Sequence, residues 1–226
     1  MKYHGIIFDF NGVLWWDSHL HEYAWKQFSE TVGSKAFSNE EIRVHVLGRT
    51  NLHCLKFLLG RPVTGDDLER LTQQKETIYR QLCLKQETDF KLSPGAIELL
   101  DYLVAHDIPR TIATGSEKTN LDFFVEHFLL REWFDLKQIV YDDGRRPGKP
   151  APDMYLDAAI RLELEPVQCI VVEDSDSGIK AAHAAGIGLI VALGPADTHH
   201  RLTKLKGVNR VVESLEEFPM GLLFSP

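Results

Sequence analysis

The chain has 226 residues, 44% of them hydrophobic, with 25 basic against 33 acidic residues and a formal charge of −8. That length suits one large domain or a core with a smaller insert, and the apolar fraction excludes wholesale disorder. The acidic balance argues against a general nucleic-acid or anionic-membrane partner. Three cysteines, Cys54, Cys83 and Cys169, show no metal-ligand or CxxC spacing and read as reduced thiols. With Asp9 interrupting the first apolar run, the expectation is a cytoplasmic protein without a signal peptide. The run near 186–194 is too short to cross a bilayer.

In chain order, the first predicted strand is 5–8, inside "IIFDFNGVLWWDS". It ends on Asp9, and two residues later, before a glycine, stands Asn11. From 17 to 88 nothing looks like a strand, and helical patterns at 20–31, 39–47 and 66–84 dominate. This stretch is expected to be a helical insert. The expected boundaries are 17–90 for the insert and 1–16 with 91–226 for the core, with hinges near 15–18 and 88–94. Four more apolar runs follow, at 111–113, 138–141, 169–172 and 189–193. Helical patterns at 96–106, 121–128, 153–162 and 178–185 alternate with them. The runs lack polar alternation, as strands buried on both faces do. Such alternation predicts parallel crossover units and a doubly wound α/β sheet.

Ligands in such sheets bind beyond the carboxyl ends of the strands. Asp9 and Asn11 follow the first strand, and Thr114, Gly115 and Ser116 follow the second. Asp142, Asp143 and then Lys149 follow the third, and Glu173, Asp174, Ser175 and Asp176 the fourth. Asp9, Glu173 and Asp174 would converge and repel, and a hard divalent cation such as Mg²⁺ removes that conflict. Singly, each residue has a plainer role. Thr114 with Glu117 matches a capping box, Ser175 or Asp176 can cap a helix, and Asp142 and Asp143 suit a loop. Lys149 before a Pro-started helix is the exception, because the dipole there disfavours a cation unless an anion is near.

These strings resemble the haloacid dehalogenase superfamily, specifically its helical-cap phosphatase and phosphomutase branch. "FDFNGVL", "IATGS", "GKPAPDMYLDAA" and "VVEDSDSGIKAAHAAG" match the four family motifs in order. The resemblance implies a Rossmann-like core with an inserted α-helical cap, and a small phosphorylated metabolite as partner in a monomer or weak dimer. It implies that Asp9 is a nucleophile forming an aspartyl-phosphate. Thr114, Gly115 and Ser116 would bind phosphoryl oxygens, and Lys149 would neutralise charge. Asp9, the Asn11 backbone carbonyl, Glu173 and Asp174 would hold Mg²⁺, with Glu173 in direct contact or one layer behind. From the cap, His21, Arg49, Trp15 and Trp16 are candidates to face substrate, against the plainer readings of a helix-surface histidine and packed tryptophans.

Asn11 departs from the family, which usually has aspartate there to protonate the leaving alcohol and deprotonate water. An amide does neither. The leading reading is therefore a Mg²⁺-dependent phosphatase with a weakened acid–base step, suited to good leaving groups. A non-catalytic or degenerate metabolite-binding protein is the alternative, followed by a phosphomutase or a dehalogenase. An engineered trapping variant and deamidation of Asn11-Gly12 are two further explanations of the amide. An aspartate restored at position 11 is expected to raise alkyl phosphate hydrolysis by ~10²–10⁴.

Overall fold

The computed structural model describes residues 3–86 and 90–223. Six parallel strands form one sheet in the order β3-β2-β1-β4-β5-β6. They are β1 (Gly5–Phe8), β2 (Arg110–Glu117), β3 (Val140–Asp142), β4 (Cys169–Glu173), β5 (Leu189–Leu193) and β6 (Val208–Val212). Helices α5 (Ala96–Ala105), α6 (Lys118–His127), α7 (Asp153–Arg161), α8 (Asp176–Ala184) and α9 (His199–Leu202) connect them or follow them. The first strand has buried neighbours on both sides, so all four of its residues are apolar. Alternation then sorts them: Ile6, Phe8 and Phe10 join the cluster that contains α5 and α6, while Ile7 joins the one that contains α7 and α8.

The expected strands and core helices are all found, with β2 longer than the run that predicted it. Three elements were not anticipated, the edge strand β6, the short helix α9 and a helix in the insert. That insert holds α1 (Ser18–Thr31), α2 (Asn39–His45), α3 (Asn51–Leu59) and α4 (Gly65–Leu84). Its four helices enclose a cluster of their own, with Trp25, Phe28, Ile42, Leu55 and Leu71 buried. Leu20, Ala24, Tyr79 and Cys83 from the same helices join the core cluster instead, beside Trp15. Trp15 is therefore packing, in ring contact with Phe90, Phe124 and Phe128, and Trp16 is exposed. Residues 88 and 89 of the second expected hinge lie outside the described residues.

The helical insert is docked on the core through polar contacts. Ser177 Oγ donates to the Leu47 carbonyl (3.0 Å), and Arg49 Nη1 donates to the Lys149 carbonyl (3.0 Å). Asp176 at the start of α8 pairs with Arg43 from α2 and with Arg201 from α9. Partly exposed pairs of this kind contribute ~0.2–1 kcal/mol each. Asp176→Ala is expected to favour the undocked insert by up to about fivefold, roughly 1 kcal/mol for Asp176–Arg43, the pair that crosses from core to insert; Asp176–Arg201 lies within the core. Amide hydrogen exchange in 47–50 should accelerate by that factor, and unchanged exchange would show that the clamp contributes nothing to docking.

Candidate active site

Strand register builds the site. Ile7 of β1 lies opposite Val171 of β4, so two residues further Asp9 comes beside Glu173 on the same face. The loop before α7 delivers Lys149 between them, across a cis Lys149–Pro150 peptide. Its Nζ lies 3.1 Å from Asp9 Oδ1 and 2.7 Å from Glu173 Oε1, and all three side chains are buried. Asp9 Oδ1 also accepts from the Phe10 N–H at 2.8 Å, so both bonds fall on one oxygen. Tyr155 OH donates to Glu173 Oε1 (2.9 Å), and Ser175 donates to Oε2 through its N–H (2.8 Å) and Oγ (3.0 Å). Ser175 caps α8 as well, accepting from the Gly178 N–H at 3.0 Å. Its plainer role and its site role therefore coexist.

Asp9, Glu173 and Asp174 each bring an oxygen within 4.8 Å of the others. Gly12 makes this possible. Its φ is +80°, and a Cβ there would sit 2.1 Å from Asp174 Oδ2. Burial raises the Asp9 carboxyl, with Lys149 opposing and Glu173 adding to the rise. Burial, then Glu173 and Asp9, raise Asp174 well above the usual range. Glu173 is lowered, because Lys149, Ser175 and Tyr155 outweigh burial. Lys149 is raised, because Asp9 and Glu173 outweigh its burial. One lysine thus faces three acids, and the residual negative charge with oxygen-only donors fits a hard divalent cation.

Thr114 lies inside β2 and caps nothing, since Glu117 holds the N-cap position of α6. Its Oγ1 accepts from the Ser116 N–H (3.1 Å) and donates to Asn11 Oδ1 (3.4 Å), and Ser116 Oγ donates to the same oxygen at 2.8 Å. Asn11 Nδ2 donates to Asp17 Oδ2 (2.6 Å) and to Tyr79 OH (3.3 Å). Asp143 is a loop residue, as expected, whereas Asp142 is the last residue of β3; they accept from the Arg145 and Gly144 N–H groups, respectively.

Asp9, Asn11, His21, Arg49, Gly115, Ser116 and Asp174 line one cavity of about 60 Å³ between core and insert. Thr114, Lys149 and Glu173 stand behind its wall. A cavity of this size holds a few water molecules, so a sugar-sized ligand requires the insert to move. Opposite Asp9, the insert presents a wall that sequence reasoning missed: Lys75, Glu76 and Asn51. Lys75 Nζ contacts His21 Nδ1 and Glu76 Oε1, both at 3.0 Å. Glu76 accepts from Asn51 and Asn120 (both 2.7 Å), and the Lys75 charge leads the groups that hold its carboxyl at about 2 despite burial. The signal was present. On α4, Lys75 and Glu76 fall in the buried stripe of Leu71, Thr72, Tyr79 and Cys83, where solvated charges do not belong. Among the described residues, Arg49 hydrogen-bonds backbone carbonyls alone, of Val44 and Lys149.

Similarity to known proteins agrees with this geometry. The family description "haloacid dehalogenase-like hydrolase" matches residues 3–186. A phosphorylated carbohydrates phosphatase of Thermotoga maritima is 29% identical over 186 residues, spanning 80% of this chain and 81% of that protein. Fructose-1-phosphate phosphatase of Escherichia coli is 28% identical over 192 residues, spanning 84% and 96%. A solved structure of a HAD hydrolase, family IA, variant 3, from Entamoeba histolytica superposes with a TM-score of 0.86 at 34% identity, covering 98% of this chain and 97% of the other. A parallel sheet with an acid at the end of its central strand, a buried lysine and a paired acidic motif on the next strand thus go together with a match over most of the sequence, and the chain belongs to the haloacid dehalogenase-like hydrolases.

Proposed function

We propose that the chain is a Mg²⁺-dependent phosphatase of phosphorylated carbohydrates that works through an aspartyl-phosphate on Asp9. The observation that carries this reading is the buried Lys149 bridging Asp9 and Glu173 at 3.1 and 2.7 Å. Both hydrogen bonds to Asp9 occupy Oδ1, which leaves Oδ2 to attack phosphorus. As the Asp9–phosphorus bond forms, the ester O–P bond breaks and the leaving oxygen departs with the electron pair. Lys149 offsets charge at the nucleophile, and Gly115 and Ser116 of β2, which line the cavity, face the phosphoryl oxygens. Water then attacks the aspartyl-phosphate and regenerates Asp9. Positioning and charge neutralisation carry most of such a transfer.

Asp9 and Asp174 are the carboxylates with capacity for Mg²⁺. Glu173 stands behind them, because Lys149, Tyr155 and the two Ser175 groups already take its four lone-pair positions. Bound there, the cation would supply charge stabilisation for the phosphoryl group. On the opposite wall, Lys75, Glu76, Asn51 and His21 alternate donors and acceptors suited to the hydroxyls of a sugar or polyol. Arg49 bonds neutral carbonyls and is free to meet an anionic group. Turnover of hexose, hexitol and glycerol phosphates, with and without chelator, tests the reading. No hydrolysis of any ester by the Mg²⁺-loaded protein would instead favour a metabolite-binding role, the reading that the fully engaged Asn11 amide supports.

The metal has a second signature. Burial raises Asp9 from 3.8 to about 7, so the metal-free fold binds more protons than the unfolded chain between those values. Stability without metal should therefore fall as pH rises across that window. Mg²⁺ competes with these protons, so its stabilising increment should grow over the same window. Thermal unfolding from pH 5 to 8, with Mg²⁺ or with chelator, checks this. An increment that does not depend on pH would remove Asp9 from the metal site.

A further inference from the structure

We propose that Asp17 is a positioning residue that fixes what position 11 can do in phosphoryl transfer, and that Asn11 and Asp17 form one matched pair. Asp17 occupies the N-cap position of α1, yet its side chain makes no cap hydrogen bond. A helix start normally recruits such a carboxylate. Here the fully buried side chain turns to the nucleophile loop instead. Oδ1 accepts from the Gly12 N–H at 3.1 Å. Oδ2 accepts from Asn11 Nδ2 at 2.6 Å and from Tyr79 OH, and His21 Nε2 lies 3.4 Å away. These donors come from three places: the loop after Asp9, helix α1 and helix α4. Asp17 therefore ties the nucleophile loop to two helices of the insert.

The pairing dictates the orientation of the Asn11 amide. Its nitrogen faces a carboxylate, and its oxygen faces two hydroxyl groups, Ser116 and Thr114. The Tyr79 proton goes to Asp17, which leaves the phenol oxygen to accept from Asn11. Every hydrogen-bonding position of the amide is then used. A carboxylate in the same place would set an oxygen against the Asp17 oxygen at about the 2.6 Å that now separates it from Asn11 Nδ2. Two anions at that distance in a buried site conflict, whereas an amide and an anion agree. The amide at position 11 is thus fitted to Asp17, and the two residues belong together.

A consequence for substrate choice follows, and it rests on the phosphatase reading. Asn11 has no group left for the leaving oxygen, which must depart as an anion and take its proton from water. The site then favours esters whose leaving oxygen is stable as an anion over simple alkyl phosphates. An acid installed at position 11 becomes useful only when Asp17 is replaced as well.

Four full-length proteins test the proposal: the wild type, Asn11→Asp, Asp17→Asn and the double variant Asn11→Asp/Asp17→Asn. The first readout is the thermal midpoint at pH 7.5, without ligand. Asn11→Asp should lose about 5 °C or more, and the double variant should recover most of that loss. The second readout, with Mg²⁺, is kcat and KM for glycerol phosphate and 4-nitrophenyl phosphate. The double variant should gain ~10²-fold or more in kcat on glycerol phosphate, with the nitrophenyl rate changed far less. Asn11→Asp alone should gain little on either, because Asp17 stands against the new carboxylate. This outcome replaces the ~10²–10⁴-fold gain on alkyl phosphates expected from the sequence. The proposal is overturned if Asn11→Asp keeps wild-type stability, or if the double variant is no more stable than that single change. It is also overturned if the single change gains as much as the double. A double variant that does not fold counts against it. If all four proteins are inactive, the phosphatase reading fails and the pattern of midpoints still decides the pairing.

Discussion

Asp9→Asn is expected to abolish turnover, with a fall of ~10⁴-fold or more on every phosphate ester. The substitution is nearly isosteric, and its side-chain oxygen can still accept from the Phe10 N–H, which now bonds Asp9 Oδ1 at 2.8 Å. The fold should therefore persist, and what disappears is the oxygen that attacks phosphorus. The loss should be the same for nitrophenyl and alkyl esters, because it precedes any question of leaving-group protonation. Beryllium fluoride with Mg²⁺, which mimics a phosphorylated aspartate, should raise the melting temperature of the wild type by mass action and leave Asp9→Asn unmoved. Residual activity above about 1% of wild type would point to another nucleophile.

Lys149→Met should carry the largest stability loss, ~3–5 kcal/mol, since it strands buried carboxylates that the lysine now compensates. Methionine keeps the length of the stem and removes the charge, so packing changes little. The loss should depend on pH in a definite sense. Without Lys149 the folded-state pKa values of Asp9 and Glu173 rise, and protonation relieves the conflict. The defect should therefore be larger at pH 8 than at pH 5. Mg²⁺ should restore part of it by supplying another positive charge at Asp9. A uniform loss across pH would mean that packing, not charge, is what Lys149 provides. Turnover should be lost with the nucleophile's counter-charge.

The central strands were legible because burial on both faces forces continuous apolar runs, as in 5–8 and 169–172. The edge strand β6 was not, because Asn209 and Arg210 are exposed and break the run. Helix α3 was missed for the opposite reason: "NLHCLKFLL" is apolar around most of its circumference, and it follows a glycine-containing loop that drew attention as a ligand contact. Asp9, Thr114, Lys149, Glu173 and Asp174 were identifiable because each lies near or beyond the carboxyl end of a strand, where the topology dictates convergence. Lys75, Glu76 and Tyr79 were missed: charges inside the apolar stripe of α4 signal a buried pair but not the cavity that it lines. Nothing local says which face of α4 meets the cavity. The pairing of Asp17 with a residue six positions earlier became apparent only when the loop folded back on itself.

The four inserted helices bury Trp25, Phe28, Ile42, Leu55 and Leu71 among themselves. This arrangement divides what mutation can reach. Changes to well-separated sites that share no partners add nearly independently. Lys75 takes its partners His21 and Glu76 from the insert, whereas Glu76 and Asn51 also bond Asn120 and Glu117 of the core. Substitution at Lys75 is therefore expected to reshape selectivity while the strands that hold Asp9 and Glu173 keep their register. The chemistry is inherited with the sheet, and the diet can be rewritten in the helices. Such a division lets one scaffold diversify over generations, and it makes α4 the place to begin a library aimed at a new substrate.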